Sequence, residues 1–158
     1  MPQRRRRSSL RCMDAGTETG GSYVTPRPEH ARVADAMRHG LVTCSADANL
    51  REAARTMSSE HVHMVAVSDP TDGSVVGTLT DMALLDALLE DPDLRRTLRE
   101  VADPGAQAIS SDRPLLDAAT TMRELQASHL LVRDAHNGHP VGVISTLDVA
   151  GVLAWGEA

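Results

Sequence analysis

The sequence predicts an α+β fold of two βαββα units, and three observations carry that prediction. A pattern returns at a fixed offset of 65 residues, so that Leu50, Ala53, Ala54 and Met57 reappear as Leu115, Ala118, Ala119 and Met122. Each of these sets falls at i, i+3, i+4, i+7, which is one face of a helix. Each set is then followed by two short β-rich runs around a Gly-containing turn, with Gly73, Gly77 and Thr80 returning as Gly138, Gly142 and Ser145. An offset kept without a gap through helix, strand, turn and strand marks an internal duplication. Units of about 55 residues are too small to bury a good core alone. They are expected to pack sheet against sheet as one body with a shared core.

Residues 1–30 are rich in Arg, Ser, Gly, Thr and Pro and show no apolar periodicity, so a flexible tail is expected there. The Arg4–Arg7 run reads as solvated, with contact to an acidic surface or phosphate as the sharper alternative. A signal peptide is not expected there, because residues 8–14 supply no apolar stretch after the arginines. The first repeat is placed at 31–90. Val33, Ala36 and Met37 form a short helical stripe, and Leu41–Cys44 reads as extended. Residues 45–49 (Ser-Ala-Asp-Ala-Asn) are turn and helix-cap chemistry. The amphipathic helix from Leu50 follows. Val62–Val67 alternates as a strand, Asp69–Gly73 is a hairpin turn, Ser74–Thr80 is the second strand and Met82–Leu89 a helix. Residues 91–97 connect, with a short helix expected over Leu94–Val101. The second repeat, 98–158, repeats the series.

Composition narrows the function. The 158 residues are 41% hydrophobic and 24% charged, within the globular range. One Trp, one Tyr and no Phe leave little for base stacking or a carbohydrate platform. No lysine occurs, which excludes a Schiff base, a P-loop lysine and a lysine nucleophile. The net charge is −6, and outside residues 1–30 ten Arg face nineteen acids, so nucleic acid is not the expected partner. Cys12 and Cys44 are too few for a disulfide framework and suit a reducing cytoplasm. No run reaches the roughly 18 apolar residues of a membrane span. A cytoplasmic protein with no membrane partner is expected.

The repeated motifs resemble those of a tandem CBS-domain pair, a Bateman module. Val33-Ala-Asp-Ala-Met37 is similar to the family's V-x-D-x-M opening. Val65-Ala-Val-Ser-Asp69 and Leu130-Leu-Val-Arg-Asp134 resemble L-P-V-V-D, with Ala66 and Leu131 in place of the proline. Gly77-Thr-Leu-Thr80 and Gly142-Val-Ile-Ser145-Thr-Leu-Asp148-Val149 resemble the closing motif. The resemblance spans about residues 32–155. It implies two repeats related by pseudo-two-fold symmetry, a stand-alone regulatory module rather than an enzyme, and a homodimer. It also implies an adenosine ligand between the repeats: AMP, ADP, ATP, S-adenosylmethionine or NAD.

The resemblance further implies that Asp148 takes the ribose hydroxyls with Ser145 near ribose and phosphate. A carboxylate suits a cis-diol, and a helix N-terminus beside it suits phosphate. The first repeat has Ala83 where the second has Asp148, and Asp81, two residues off, should point away. One competent and one degenerate cleft are therefore expected. The competent cleft nominates Met37, Val42, Val62, His63, Met64 and Val143, with Ser128 and His129 at the matching place of the second repeat. His63 and His129 would be the phosphate contacts, so a monophosphate or nucleoside ligand is expected over a triphosphate. The plainer explanation of Ser145 and Asp148 is a capping box. A ligand-free dimerisation or scaffold module is the alternative function. His61, His63, His136 and His139 follow no metal-ligand pattern, so no metal is expected. Cys44 and the methionines read as small hydrophobe and core fillers.

Overall fold

A computed structural model describes residues 26–156. The Arg4–Arg7 run, Cys12 and most of the expected tail lie outside that range. Residues 27–31 form a turn, where His30 and Ala31 donate to the Arg27 carbonyl, and Ala31 is buried.

The order is α1 (Val33–Ala36), β1 (Arg38–His39), β2 (Thr43–Ser45), α2 (Leu50–Glu60), β3 (Met64–Ser68), β4 (Val75–Thr80) and α3 (Asp81–Glu90). The second series is α4 (Leu98–Val101), β5 (Ala108–Ser110), α5 (Leu115–Leu125), β6 (His129–Arg133), β7 (Pro140–Ser145) and α6 (Thr146–Trp155). Every element except β1 has its partner 65 residues later with identical bounds. The expected connecting helix over Leu94–Val101 is shorter, because Leu94 adopts a left-handed φ of 55° and helix geometry begins only at Leu98.

Local chemistry explains the helix ends. Asn49 and Glu52 exchange hydrogen bonds in a capping box that starts α2. Thr80 Oγ1 accepts from the Ala83 N–H to start α3. His61 and Gln126 close α2 and α5 in left-handed conformations.

The strands form two sheets of order β2-β3-β4 and β1-β7-β6-β5. In each, a helix carries the chain between two parallel strands, and a hairpin adds the antiparallel third. The expected single shared core is instead two apolar clusters. One gathers Leu50, Ala53, Met57, Val65, Val67 and Leu79, and the other Leu115, Ala118, Met122, Leu130, Val132 and Ile144. The reason is the two-residue strand period. Val65 and Val67 face one cluster, while Ala66, between them, is buried on the opposite face and belongs to neither; Leu131 repeats this in the second sheet.

The lead-in segments are exchanged between the repeats. Val33 of α1 packs in the second cluster, and Leu98 of α4 packs in the first. β1 pairs with β7, Arg38 opposite Val143 and His39 opposite Gly142. The symmetric bridge joins Asp103 to Thr78. The sequence repeats 31–90 and 98–158 are thus not the packing units.

Candidate functional site

The exchange of β1 opens a cleft of about 710 Å³ between the repeats, within the roughly 300–1,000 Å³ usual for small-molecule sites. Arg38, His39, Gly40, Leu41 and Val42 come from β1 and the turn after it. His61, Val62, His63 and Met64 come from the α2–β3 junction, and Asp81 from the start of α3. Ser128 and His129 precede and open β6, and Val143, Ser145, Thr146, Leu147 and Asp148 end β7 and start α6. A second hollow of about 210 Å³, walled by Ala119, Met122, Ala127 and Val149 among others, is below that range.

Nine of the ten nominated residues line the cleft: Val42, Val62, His63, Met64, Ser128, His129, Val143, Ser145 and Asp148. Met37 does not. It packs against the second cluster and lies beside Gly142, because it is the extended C-cap residue between α1 and β1, and β1 pairs with β7.

Asp148 is the most constrained polar group. Its Oδ2 accepts from the Ser145 N–H at 2.8 Å and the Ser145 hydroxyl at 2.6 Å, while Ser145 Oγ accepts from the Asp148 N–H at 3.2 Å. The capping box is therefore formed. It occupies Oδ2 and leaves Oδ1, which stands 3.6 Å from Arg38 Nε. A carboxylate has about four acceptor positions, so Oδ1 keeps acceptor capacity while Oδ2 holds the cap. In α3 the cap is kept by Thr80, and Ala83, at the place of Asp148, is partly buried against the first cluster.

Two charged groups in the cleft differ from the sequence expectation. Arg38 was not nominated, yet it places a permanent cation beside Asp148. The expectation that only His63 and His129 supply basic contacts is corrected on this point. The signal was the basic pair Arg38-His39 just after the Met37 motif, but its partner strand lies in the other repeat. Asp81 was expected to point away, on helix geometry alone. It is the first residue of α3, where Oδ1 accepts from the Met82 N–H and Oδ2 sits 2.7 Å from His63 Nδ1. The His63 and His129 rings, one from each repeat, have centroids 6.0 Å apart. Burial holds the His129 pKa below its ordinary value, with the His63 charge next. Among the described residues no three His, Cys, Asp or Glu gather as a metal site requires.

Residues 33–90 and 98–154 each match the CBS domain family. The chain belongs to the CBS domain family. Its two repeats are a CBS pair, and the fold of the pair recurs in solved structures. The CBS domain pair of protein MJ0100, in complex with 5′-methylthioadenosine and S-adenosyl-L-methionine, superposes with TM-score 0.71 at 20% identity, covering 80% of this chain and 98% of that one. The CBS domain protein PAE2072 from Pyrobaculum aerophilum, complexed with AMP, gives TM-score 0.70 at 22% identity, covering 80% and 98%. The CBS pair is also 32% identical over 124 residues to protein sds23 of Aspergillus niger, a match over 69% of this chain. This chain spans only 23% of that relative's length. No helix among the described residues is long and apolar enough to cross a membrane.

Proposed function

We propose that this CBS pair is a regulatory module that binds one adenosine-type ligand in the cleft between its repeats and acts without catalysis. The observation that carries this is Asp148, which lines the cleft with Oδ1 outside the helix cap and facing Arg38, while its other oxygen holds the cap. Oδ1 would accept from the ribose hydroxyls, displacing or sharing Arg38. Val42, Val62, Met64 and Val143 offer apolar surface to the base, and Arg38, His63 and His129 lie where a phosphate would follow. The solved CBS pairs that hold AMP, 5′-methylthioadenosine and S-adenosyl-L-methionine support the ligand class. Ala83 leaves the symmetric place without an acid, which supports one site per chain. A ligand touching both repeats stabilises one arrangement of them, and a protein partner that prefers that arrangement reads the change.

The test is a thermal-shift and calorimetry series with AMP, ADP, ATP, S-adenosylmethionine and NAD on the wild type and Asp148→Ala. At ligand a hundredfold above Kd, stabilisation should be about 2.7 kcal/mol, and Asp148→Ala should abolish it. A flat response to the whole panel sinks the sensing reading. It would leave the second reading, a ligand-free dimerisation module, which the apolar outer faces of α3 and α6 favour. Met82, Leu85 and Leu89 on α3, and Leu147, Leu153 and Trp155 on α6, are more than half exposed. Burial of those faces against a second copy is compatible with either reading.

A further inference from the structure

We infer that the cleft takes up a proton when it binds a phosphate-bearing ligand, so that affinity for that ligand rises as pH falls. The inference rests on the adenosine reading above and adds a regulation to the same site. Four histidines line the cleft: His39 on β1, His61 at the end of α2, His63 before β3 and His129 opening β6. The other charged groups facing it are Arg38 on β1, Asp81 at the start of α3 and Asp148 in α6. With neutral imidazoles, one cation stands against two carboxylates, and that cation already faces Asp148 at 3.6 Å. A phosphate dianion entering this cleft meets net repulsion. Two protonated imidazoles reverse the sign.

Hydrogen bonding selects which nitrogens must change. Asp81 Oδ2 can only accept, so at 2.7 Å it fixes the hydrogen of His63 on Nδ1. The neutral ring then presents Nε2 as an acceptor, lone pair against the lone pairs of a phosphate oxygen. His61 is held in the same way, its Nδ1 donating to the Ser58 carbonyl at 2.8 Å. Only the imidazolium donates from both nitrogens. Asp81 Oδ2 accepts from His63 Nδ1 in either form. At His129, burial and then the nearby His63 charge push the pKa below its ordinary value, and an anion between the two rings offsets the His63 contribution. The ring centroids are 6.0 Å apart, so one phosphate group can lie against both.

The experiment is isothermal calorimetry of AMP and of adenosine on the full chain at pH 7.0 and 8.5, in two buffers of different ionisation enthalpy. The AMP phosphate, with a second pKa of about 6, is mainly dianionic at both. At pH 7.0, AMP binding should take up between about half and one proton, and AMP affinity should fall roughly five- to tenfold by pH 8.5. Adenosine affinity should hold level. His63→Gln/His129→Gln, checked for folding by circular dichroism, should lose both the proton uptake and the slope; uptake in the wild type decides the matter if that variant does not fold. AMP binding with no proton uptake and equal affinity at both pH values overturns this inference and leaves the adenosine reading standing. Absence of AMP binding overturns this inference, and a flat response to adenosine and to the whole panel overturns the adenosine reading as well.

Discussion

A methyl group added to Gly77 would lie 2.7 Å from the Asp103 carbonyl oxygen, and one added to Gly142 would run into the Arg38 carbonyl oxygen. These glycines sit at symmetric places in β4 and β7, where the exchanged lead-in segments cross the sheets. Backbone, not a movable side chain, is what a Cβ would meet. Gly142→Ala is expected to cost about 1–3 kcal/mol in urea denaturation and to weaken AMP binding, since β1 carries Arg38 and His39 into the cleft. An unchanged midpoint would show that β1 is not held there. In the sequence both glycines are visible as repeated motif positions, but their reason is not, because the atoms they make room for belong to the other repeat. Asp148 teaches the same lesson. Its capping spacing is local and readable, whereas the division of labour between Oδ2 and Oδ1 depends on Arg38 of a distant strand.

At the scale of elements, periodicity predicted well where burial is one-sided. The faces of α2 and α5 are buried at Leu50, Ala53, Met57 and Leu115, Ala118, Met122, while Ala54 and Ala119, expected on the same faces, are only partly buried. The hairpins at Asp69–Gly73 and Asp134–Gly138 close as the turn residues suggest, with Gly73 and Gly138 donating to the aspartate carbonyls. The short elements were less legible. A four-residue helix such as α4 has little periodicity to read, and its one fully buried side chain, Leu98, belongs to the first repeat's cluster. Leu98→Ala should therefore cost about 2–5 kcal/mol and loosen the first cluster, not the second. Hydrogen exchange on the two variants Leu98→Ala and Val33→Ala checks this. Leu98→Ala should speed exchange most in α2 and β3, and Val33→Ala most in α5 and β6. The opposite assignment would refute the exchange.

For the whole molecule, two properties follow from charge and surface. The carboxylates of Asp69, Asp72, Asp134 and Glu100 are held below their ordinary range chiefly by backbone N–H donors, and that of Asp112 by the Ser110 hydroxyl. A lowered carboxylate pKa contributes stability above the unfolded value and loses it as pH falls through the folded one. His129, also lowered, acts in the same direction from a higher pH, since the unfolded chain binds its proton below about pH 6.5. The melting temperature of the ligand-free protein is thus expected to slip slightly below pH 6.5 and steeply below about pH 4. A melting temperature that rises on acidification would contradict these assignments. The second concerns the proposed dimer. Leu85→Glu/Leu153→Glu, placed on the exposed faces of α3 and α6, should convert a dimer to a monomer in light scattering at micromolar concentration, with helicity unchanged. A wild-type monomer at that concentration would remove the dimer altogether.

The sequence by itself determined the duplication, the identity of the long elements, the turns and the acid at the head of α6. These rest on contacts between near neighbours, where spacing and turn chemistry are written residue by residue. Only the tertiary structure decided that the lead-in segments trade places, that two clusters replace one shared core, and that Arg38 and Asp81 join the cleft. Those outcomes turn on which sheet edge a two-residue strand completes, a choice made by partners far along the chain and invisible to any local period.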